Sequence, residues 1–450
     1  MQYNYRLLQA ILRSDLSSFI GKSFLTVAPG THYLPNWHIH SISNKLQQVM
    51  EGKINRLIIN IPPRYLKSIC VNVAWPAWLM GHNPSIKIMS ASYSQALSNK
   101  HSQDCRLILN SPWYQNLFPF TKIAKGENQK SKFVSTERGF RFATSTGGTA
   151  TGEGGDILIL DDPQNPNKIQ SKKYRENTIE WFEQTFISRL NNKKTGAIVL
   201  VMQRLHSEDL SGYLLKHKRN QWDLLNIPAI DENTGLALHP EREDITSLNK
   251  LKDELGDYNF SAQYLQNPIP NKGSMINKSW LKYHSLSNKL EFSQIIQSWD
   301  TAIKAKDEHD YSVGITIGIN GDGYYILDVL RAKSEFPELI NLVRNFANKW
   351  MPKAILVEDK ASGQSLIQSL ERQLPLIAIK PRFDKITRFA AHTPLFESGK
   401  IFIKDDAAWK LTLEQELLSF PKSSHDDQVD ALSQALNYLQ QRKIVQLRPL

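Results

Sequence analysis

From residue 54 to residue 227 the chain alternates short β-rich runs with stretches of helical character. The runs are INRLIINI, SIKIMSAS, GDILILDD, TGAIVLVMQR and WDLLNIP, and the segments between them are long enough to hold crossover helices. This alternation predicts a mostly parallel α/β sheet. Several runs end in polar residues, and such sheets bind ligands at the carboxyl ends of their strands. Between Pro228 and Leu290 the alternation stops, and Pro, Asn and charged residues punctuate short helical pieces such as YNFSAQYLQN. Strands return from Ser293 in another order. QIIQSWD, YSVGITIGI and GYYILDVLRA follow closely, with NGDG as a hairpin turn between the last two. Helix and strand then alternate through KAILVED, LIAIKP and KIFIK to two closing helices. The expected organisation is a first α/β domain over residues 1–227, a linker over 228–289, a second, mixed-sheet α/β domain over 290–442 and a tail over 443–450.

A chain of 450 residues is long enough for two or three domains with cores of their own. With 41% hydrophobic and 22% charged residues its composition is that of a globular protein, not a disordered one. Charge changes the picture more: a formal net charge of +11 favours a polyanionic partner such as nucleic acid, and an anionic membrane surface also fits. The longest apolar run, ICVNVAWPAWLMG, is too short and too interrupted by Asn72 and Pro76 to span a bilayer, and the first residues lack the features of a signal peptide. A soluble, intracellular protein is expected. Cys70 and Cys105 each stand alone, which leaves neither a disulfide framework nor a cysteine zinc site.

The first candidate chemistry lies in LIINIPPRYLKS, Leu57–Ser68. A phosphate-binding loop points successive backbone N–H groups at an anion from a strand-to-helix turn, while a Lys reaches the outer phosphates and a Ser or Thr hydroxyl meets magnesium. Against G-x-x-x-x-G-K-[ST], Lys67 and Ser68 are in place, but Ile61 and Leu66 stand where the glycines should be. Pro62 and Pro63 remove two donors early in the turn, where rigidity can substitute for glycine. Leu66 is the harder departure, because a residue with a Cβ resists positive φ. Alone, the stretch reads as an exposed Lys–Ser pair at a helix start. Its setting between an apolar strand and a helix, with the acidic strand end DILILDDP following, favours the nucleotide loop. There Asp161 is placed to hold magnesium through water and Asp162 to orient an attacking water. By itself an Asp–Asp pair at a strand end is a cap or a turn.

The second candidate chemistry is acidic. SHDDQVDALSQAL brings Asp426, Asp427 and Asp430 together at the start of the last helix, and Asp430 shares a helix face with either of the others. Such crowding is costly without a cation, and magnesium relieves it. Asp300 closes the strand QIIQSWD and Glu358 closes AILVE. One acid on the first strand, one on a later central strand and a pair on the final helix make the layout of two-metal nucleases of the RNase H type, whose ions sit about 3.5 to 4 Å apart. Asp359 is expected on the opposite face of its strand from Glu358.

PPRYLKS, SASYSQALSNKHSQDCRLILNSPWYQNLFP, FATSTGGTATGEGGDILILDDP and VMQRLHSEDLSG, in that order, resemble the ATPase half of the large terminase subunits of tailed bacteriophages and prophages. SWDTA, HDYSVGITIG, ILVEDKASGQSLIQSL, DKITRF, SGKIFI and HDDQVDAL extend the likeness through the nuclease half, so that it runs over roughly residues 35 to 440. The chain departs from the family loop P-P-R-x-G-K-S at Leu66, and from the coupling segment T-R-W-H, which here is Gln203, Arg204, Leu205 and His206, at Gln203 and Leu205. The resemblance implies a P-loop ATPase with a mostly parallel sheet, followed by an RNase H-like mixed-sheet nuclease. It implies ATP and Mg2+ or Mn2+ as cofactors.

As catalytic residues the resemblance implies Lys67, Asp161 and Asp162 for ATP hydrolysis and Asp300, Glu358 and Asp427 for cutting. Arg64, Tyr65, Leu66, Lys67, Ser68 and Gln203 would meet the nucleotide, with Trp37 and His38 near its base. Arg141 is a candidate arginine finger, or else a solvated strand-edge arginine. Ser68 and Asp161 would hold the metal of the first site, and Asp300, Glu358 and Asp427 those of the second. Asp426 and Asp430 are possible extra ligands and Asp310 an outer acid. Lys385 and Arg388 would touch DNA phosphates, or form a solvated basic face. The glycines between Gly147 and Gly155 would make a mobile loop. Double-stranded DNA, a portal protein, a small terminase subunit and a homo-oligomeric ring are the implied partners, in the cytoplasm of a bacterial host and away from any membrane. Two alternatives stay open: a prophage-derived nuclease whose decayed ATPase domain is a DNA-binding scaffold, and an assembly protein without chemistry.

Overall fold

The computed structural model describes residues 2–148, 152–268, 275–285, 290–301, 311–381, 383–421 and 425–446. Its packing divides the chain into two compact units, Met1–Pro270 and Asn271–Leu450.

The first unit is built on an eight-stranded sheet. Its strands are β1 (Arg56–Asn60), β2 (Lys87–Ser92), β3 (Ile123–Asn128), β4 (Lys132–Ser135), β5 (Phe140–Ser145), β6 (Ile157–Asp161), β7 (Ala197–Met202) and β8 (Asp223–Asn226), in the order β3-β4-β5-β2-β6-β7-β1-β8. From β5 to β8 all neighbours are parallel, and β3 and β4 add an antiparallel edge. The five apolar runs of the sequence become β1, β2, β6, β7 and β8. Both faces of this sheet are covered, so alternate residues of each strand enter different cores. Leu57, Ile59, Ile157, Ile159, Val199 and Val201 pack with Leu16, Phe19, Ile42 and Trp75 of the helices on one face. Ile58, Leu158, Leu160, Ile198 and Leu200 pack with Phe182, Phe186 and Leu210 on the other. Each such Ile or Leu, fully buried, contributes roughly 1.5–3 kcal/mol. Because β6, β7 and β1 are adjacent and parallel, with Asp161 beside Val201 and Asn60 beside Met202, the chain leaves all three strands at one edge of the sheet.

The second unit carries β9 (Lys282–His284), β10 (Gln294–Asp300), β11 (Ser312–Asn320), β12 (Gly323–Ala332), β13 (Ala354–Glu358), β14 (Leu376–Ile379) and β15 (Ile401–Lys404), in the order β14-β13-β10-β11-β12-β15-β9. β10, β11 and β12 are antiparallel, with the expected turn at residues 320–323, and the remaining neighbours are parallel. The period of two again sorts side chains. Trp299, Ile355 and Val357 face the helices Phe336–Trp350 and Ala361–Leu370, while Ile296, Ala354 and Leu356 face the final helix, Asp427–Gln446. Asp300 and Glu358 share parity with this second set. Gly314, opposite Trp299 across β10 and β11, leaves room for the indole: a Cβ there would come within 2.6 Å of the ring.

Segment 228–289, expected as a linker, is ordered where it is described. The helix Ile245–Gln263, kinked at Gly256, buries Leu248 and Phe260 against Ala229 and Tyr264 in the first unit. β9 adds an edge strand to the second sheet beside β15.

Two candidate catalytic sites, one in each unit

In the first unit the loop Ile61–Leu66 leaves β1 and enters a helix at Lys67. Arg64 and Leu66 adopt positive φ, +70° and +63°. Leu66 thus takes the left-handed conformation that glycine would take there, at a cost of about 1–2 kcal/mol for a residue with a Cβ. Its side chain packs onto the core beside the buried Tyr65, and its carbonyl accepts from the Cys70 N–H at 2.9 Å, which offsets that cost. A cavity of about 390 Å3 lies against the loop, lined by Arg64, Tyr65, Leu66, Lys67 and Ser68 on one side and by His38, His239 and Arg242 on another. His38 lines it with its ring pushed down to about 4 by burial and by His239. Trp37 is 56% exposed and does not line the cavity.

The strand period separates the two acids after β6. Asp161, on the same face as Ile157 and Ile159, meets the helix that follows the loop. The Ser68 hydroxyl donates to its Oδ1 at 3.0 Å and Asn72 Nδ2 to its Oδ2 at 3.1 Å, with His101 Nδ1 3.2 Å from the latter. Asp162, at φ +45°, turns toward Lys67, whose Nζ lies 3.0 Å from its Oδ2. Gln203 links the two: its side-chain oxygen accepts from Lys67 at 3.3 Å and its N–H donates to Asp162 Oδ1 at 3.2 Å. Burial pushes both carboxyls above the ordinary range, against the pull of Lys67. The hydroxyl, the buried acids and the lysine beside an open cavity are the donor set that a magnesium-bound nucleoside triphosphate requires, and these residues fit it. The segment after β7 is itself fixed, because the buried Asp209 takes both oxygens to Arg204 Nε at 3.0 Å and accepts from the N–H groups of Leu205 and His206.

Arg141 corrects an expectation. Neither an arginine finger nor a solvated edge residue, it is fully buried in β5, and its Nη2 donates to Asn72 O at 3.0 Å, Asn72 Oδ1 at 2.8 Å and Ser90 Oγ at 3.2 Å. A guanidinium enclosed by its own sheet has no route to a neighbouring subunit. It fixes the amide of Asn72, whose other end holds Asp161. Replacing Arg141 by Met should cut ATP turnover roughly 10–100-fold, the usual effect of losing a residue that orients a ligand. Mixing Arg141→Met chains with Lys67→Ala chains should restore nothing, whereas a finger donated between subunits would be rescued in the mixture. Asn72 and His101 were missed by sequence reasoning. The only signal was a lone Asn inside an apolar helical run.

In the second unit Asp300 and Glu358 end adjacent parallel strands on the face covered by the helix Asp427–Gln446. Gln434 of that helix donates to Ser298 Oγ at 3.0 Å and to Trp299 O at 3.3 Å, which anchors it beside Asp300. Glu416 holds the helix start: its Oε1 accepts from the N–H groups of Gln428 and Val429 at 2.7 and 3.0 Å. The acids are close enough to perturb one another. Burial, then Asp430 and Glu358, push Asp300 up to about 7; burial, then Glu416 and Asp426, push Asp427 up to about 6.

Basic groups occupy part of this cluster. Lys385 Nζ lies 2.6 Å from Asp426 Oδ1 and 2.6 Å from Asp430 Oδ2, Arg388 Nη2 lies 2.8 Å from Asp430 Oδ1, and Lys360 Nζ lies 2.5 Å from Glu358 Oε1. Two expectations change. Lys385 and Arg388, expected on a phosphate-contacting or solvated basic face, instead pair with acids of their own unit, Arg388 buried and Lys385 part-exposed. Asp430, proposed as an extra metal ligand, has an oxygen committed to each of two cations, and Asp426 shares Lys385 with it. Among the described residues no three His, Cys, Asp or Glu side chains close around a common point that could hold a metal. Asp300 and Asp427, with Glu358 beyond its exposed lysine, nonetheless form an all-oxygen donor set, and the raised carboxyls of the two aspartates fit a hard divalent cation. Asp359 pairs away from the cluster, with Gln364 and Lys380. Asp310 and residues 149–151 of the glycine stretch lie outside the described residues.

The family model for the terminase RNaseH-like domain matches residues 297–439, the segment holding Asp300, Glu358, Asp427 and Asp430. The chain is similar in fold to a large terminase from a thermophilic bacteriophage, solved in complex with ATP-gamma-S, at a TM-score of 0.56 and 11% identity over 87% of this chain and 98% of that one. Lower TM-scores relate it to the HK97 bacteriophage large terminase (0.41, 12% identity, 95% and 99% covered) and to the large terminase nuclease of thermophilic phage G20c with bound magnesium (0.30, 14% identity, 37% and 98% covered). No curated protein matches the sequence. Residues 297–439 of the second unit thus match the terminase RNaseH-like domain, and the chain shares the fold of a large terminase.

Proposed function

We propose that this chain is the large subunit of a phage or prophage terminase, which uses ATP to drive double-stranded DNA into a procapsid and cuts concatemeric DNA in a metal-dependent step. The observation that carries the reading is the coincidence of the terminase RNaseH-like match with the segment whose distant acids crowd at one sheet edge, in a chain whose other unit joins Ser68 to Asp161 beside a strand-to-helix loop.

In this reading the backbone of Arg64 to Ser68 surrounds the phosphates and Lys67 leaves Asp162 to reach the outermost one. Asp162, freed from Lys67, orients the attacking water, and Gln203, which touches both, registers whether the phosphate is present. Ser68 and Asp161 would hold the magnesium, which when bound neutralises charge on the phosphates. Asp300, Glu358 and Asp427 would hold the divalent ions of the cutting site, ions that there supply an activated water and stabilise the leaving oxygen. ATP hydrolysis belongs to residues 1–227 and cutting to residues 290–442, with a ring on a portal protein and a small terminase subunit as the assembly. No helix of the described residues is long and apolar enough to cross a membrane.

Purified protein should hydrolyse ATP faster when DNA is added and should nick or linearise plasmid DNA only with Mg2+ or Mn2+. Its DNA affinity should fall steeply with salt, as expected for a chain of net charge +11 that tracks phosphates. Absence of both activities would remove the reading; cutting without ATP turnover would leave the scaffold alternative.

A further inference from the structure

The acid cluster of the second unit already contains a cation of the chain's own. Lys385 opens the short helix Lys385–Ala390, whose start is capped by Asp384 accepting from the Thr387 N–H at 3.0 Å. Phe389 of this helix is fully buried against Phe396 and Phe420, so the helix is fixed to the core. Its position brings the Lys385 ammonium 2.6 Å from an oxygen of Asp426 and 2.6 Å from one of Asp430. One turn on, Arg388, 8% exposed, holds the other oxygen of Asp430 at 2.8 Å. An ammonium between two carboxylates, steered by a buried guanidinium, occupies the kind of place a divalent ion takes between bridging acids. The influence of Lys385 also extends to Asp300 and Asp427, both of which it draws downward.

We propose that Lys385 is a resident counter-cation of the cutting site, filling the Asp426–Asp430 side in place of a divalent ion and confining metal uptake to the side of Asp300, Glu358 and Asp427, with Arg388 as the positioning residue that presents Asp430 to it. The inference rests on the reading of the second unit as a metal-dependent nuclease. Removing the ammonium then leaves Asp426 without its cation and Asp430 with Arg388 alone, a pair that a further divalent ion can bridge, whereas an arginine in its place keeps the pair satisfied without one.

The test counts metal and measures stability, not cutting. Full-length wild type, Lys385→Met and Lys385→Arg are stripped with EDTA and titrated with Mn2+, free Mn2+ being followed by its paramagnetic resonance signal. Lys385→Met should bind one more Mn2+ per chain than wild type, melt lower than wild type in EDTA and recover when Mn2+ is added; Lys385→Arg should bind the wild-type number. An equal or smaller count for Lys385→Met overturns the inference, while a count of zero for every protein overturns the nuclease reading beneath it. Should Lys385→Met not fold, wild-type crystals soaked in Mn2+ decide by anomalous scattering. Density beside Asp300 and Asp427 with none between Asp426 and Asp430 supports the proposal, and density between that pair overturns it.

Discussion

Asp300→Asn should reduce metal-dependent cutting of plasmid DNA by at least about 100-fold, at or beyond the upper end of what removing a merely supporting residue brings, while DNA-stimulated ATP hydrolysis continues. The substitution keeps the shape of the side chain and removes its charge, so a loss of cutting reports on the anion and not on packing. The same change should stabilise the metal-free protein. Burial among Asp430 and Glu358 raises the Asp300 carboxyl from 3.8 to about 7. Across that window the folded chain keeps a proton that the unfolded chain has released, so stability falls as pH rises from about 4 to about 7 and the penalty is fully present above it. Asparagine has nothing to titrate. Melting curves in EDTA should therefore show Asp300→Asn more stable than wild type above neutral pH and level with it in acid. A variant that loses cutting and ATP hydrolysis together, or melts lower than wild type at high pH, would argue against an uncompensated acid in a separate site.

Much of this was legible in the chain, for a physical reason. Strands such as ILILD and AIVLVM are buried on both faces and so are written as continuous apolar runs, and the acids that end β6, β10 and β13 follow at once. What escaped was of two kinds. The hairpin of β3 and β4 has one strand, IAKGEN, that is mostly exposed and reads as loop because little apolar surface shapes it. The directions of long basic side chains were the other. Arg141 and Lys385 look alike in sequence to any surface cation, and only the folding of β5 beside β2, or of a short helix against the last one, decides that each turns inward onto a polar partner. Leu66 taught a different lesson. The rule that a bulky residue resists positive φ holds as an energy of about 1–2 kcal/mol, and a buried, hydrogen-bonded loop can outweigh that, so the absence of glycine does not imply the absence of the loop.

Lys67→Ala should produce the converse phenotype, ATP turnover reduced on the order of 100-fold or more with metal-dependent cutting retained. Lys67 is 6% exposed, is shared between Asp162 and Gln203, and lines the cavity beside the loop, so its loss removes the cation that joins that cavity to the acids at the end of β6. Leaving a buried carboxylate without its partner costs roughly 3–5 kcal/mol in the limit of full burial; Asp162 keeps some access to solvent and can take up a proton, so the measured loss should be smaller. That escape gives the prediction its second readout. Without Lys67 both carboxyls should titrate higher than in wild type, and the folded variant holds protons over a wider span of pH than the unfolded chain does. Its deficit in melting temperature should then be small in acid and grow as pH rises. Lys67→Arg separates charge from reach: it should recover much of the stability at neutral pH while still hydrolysing ATP poorly, because a planar guanidinium cannot replace a compact ammonium at a site shaped by the Leu66 turn. If Lys67→Arg were instead as unstable as Lys67→Ala, the lysine would be acting through packing, and its place in the phosphate site would have to be given up.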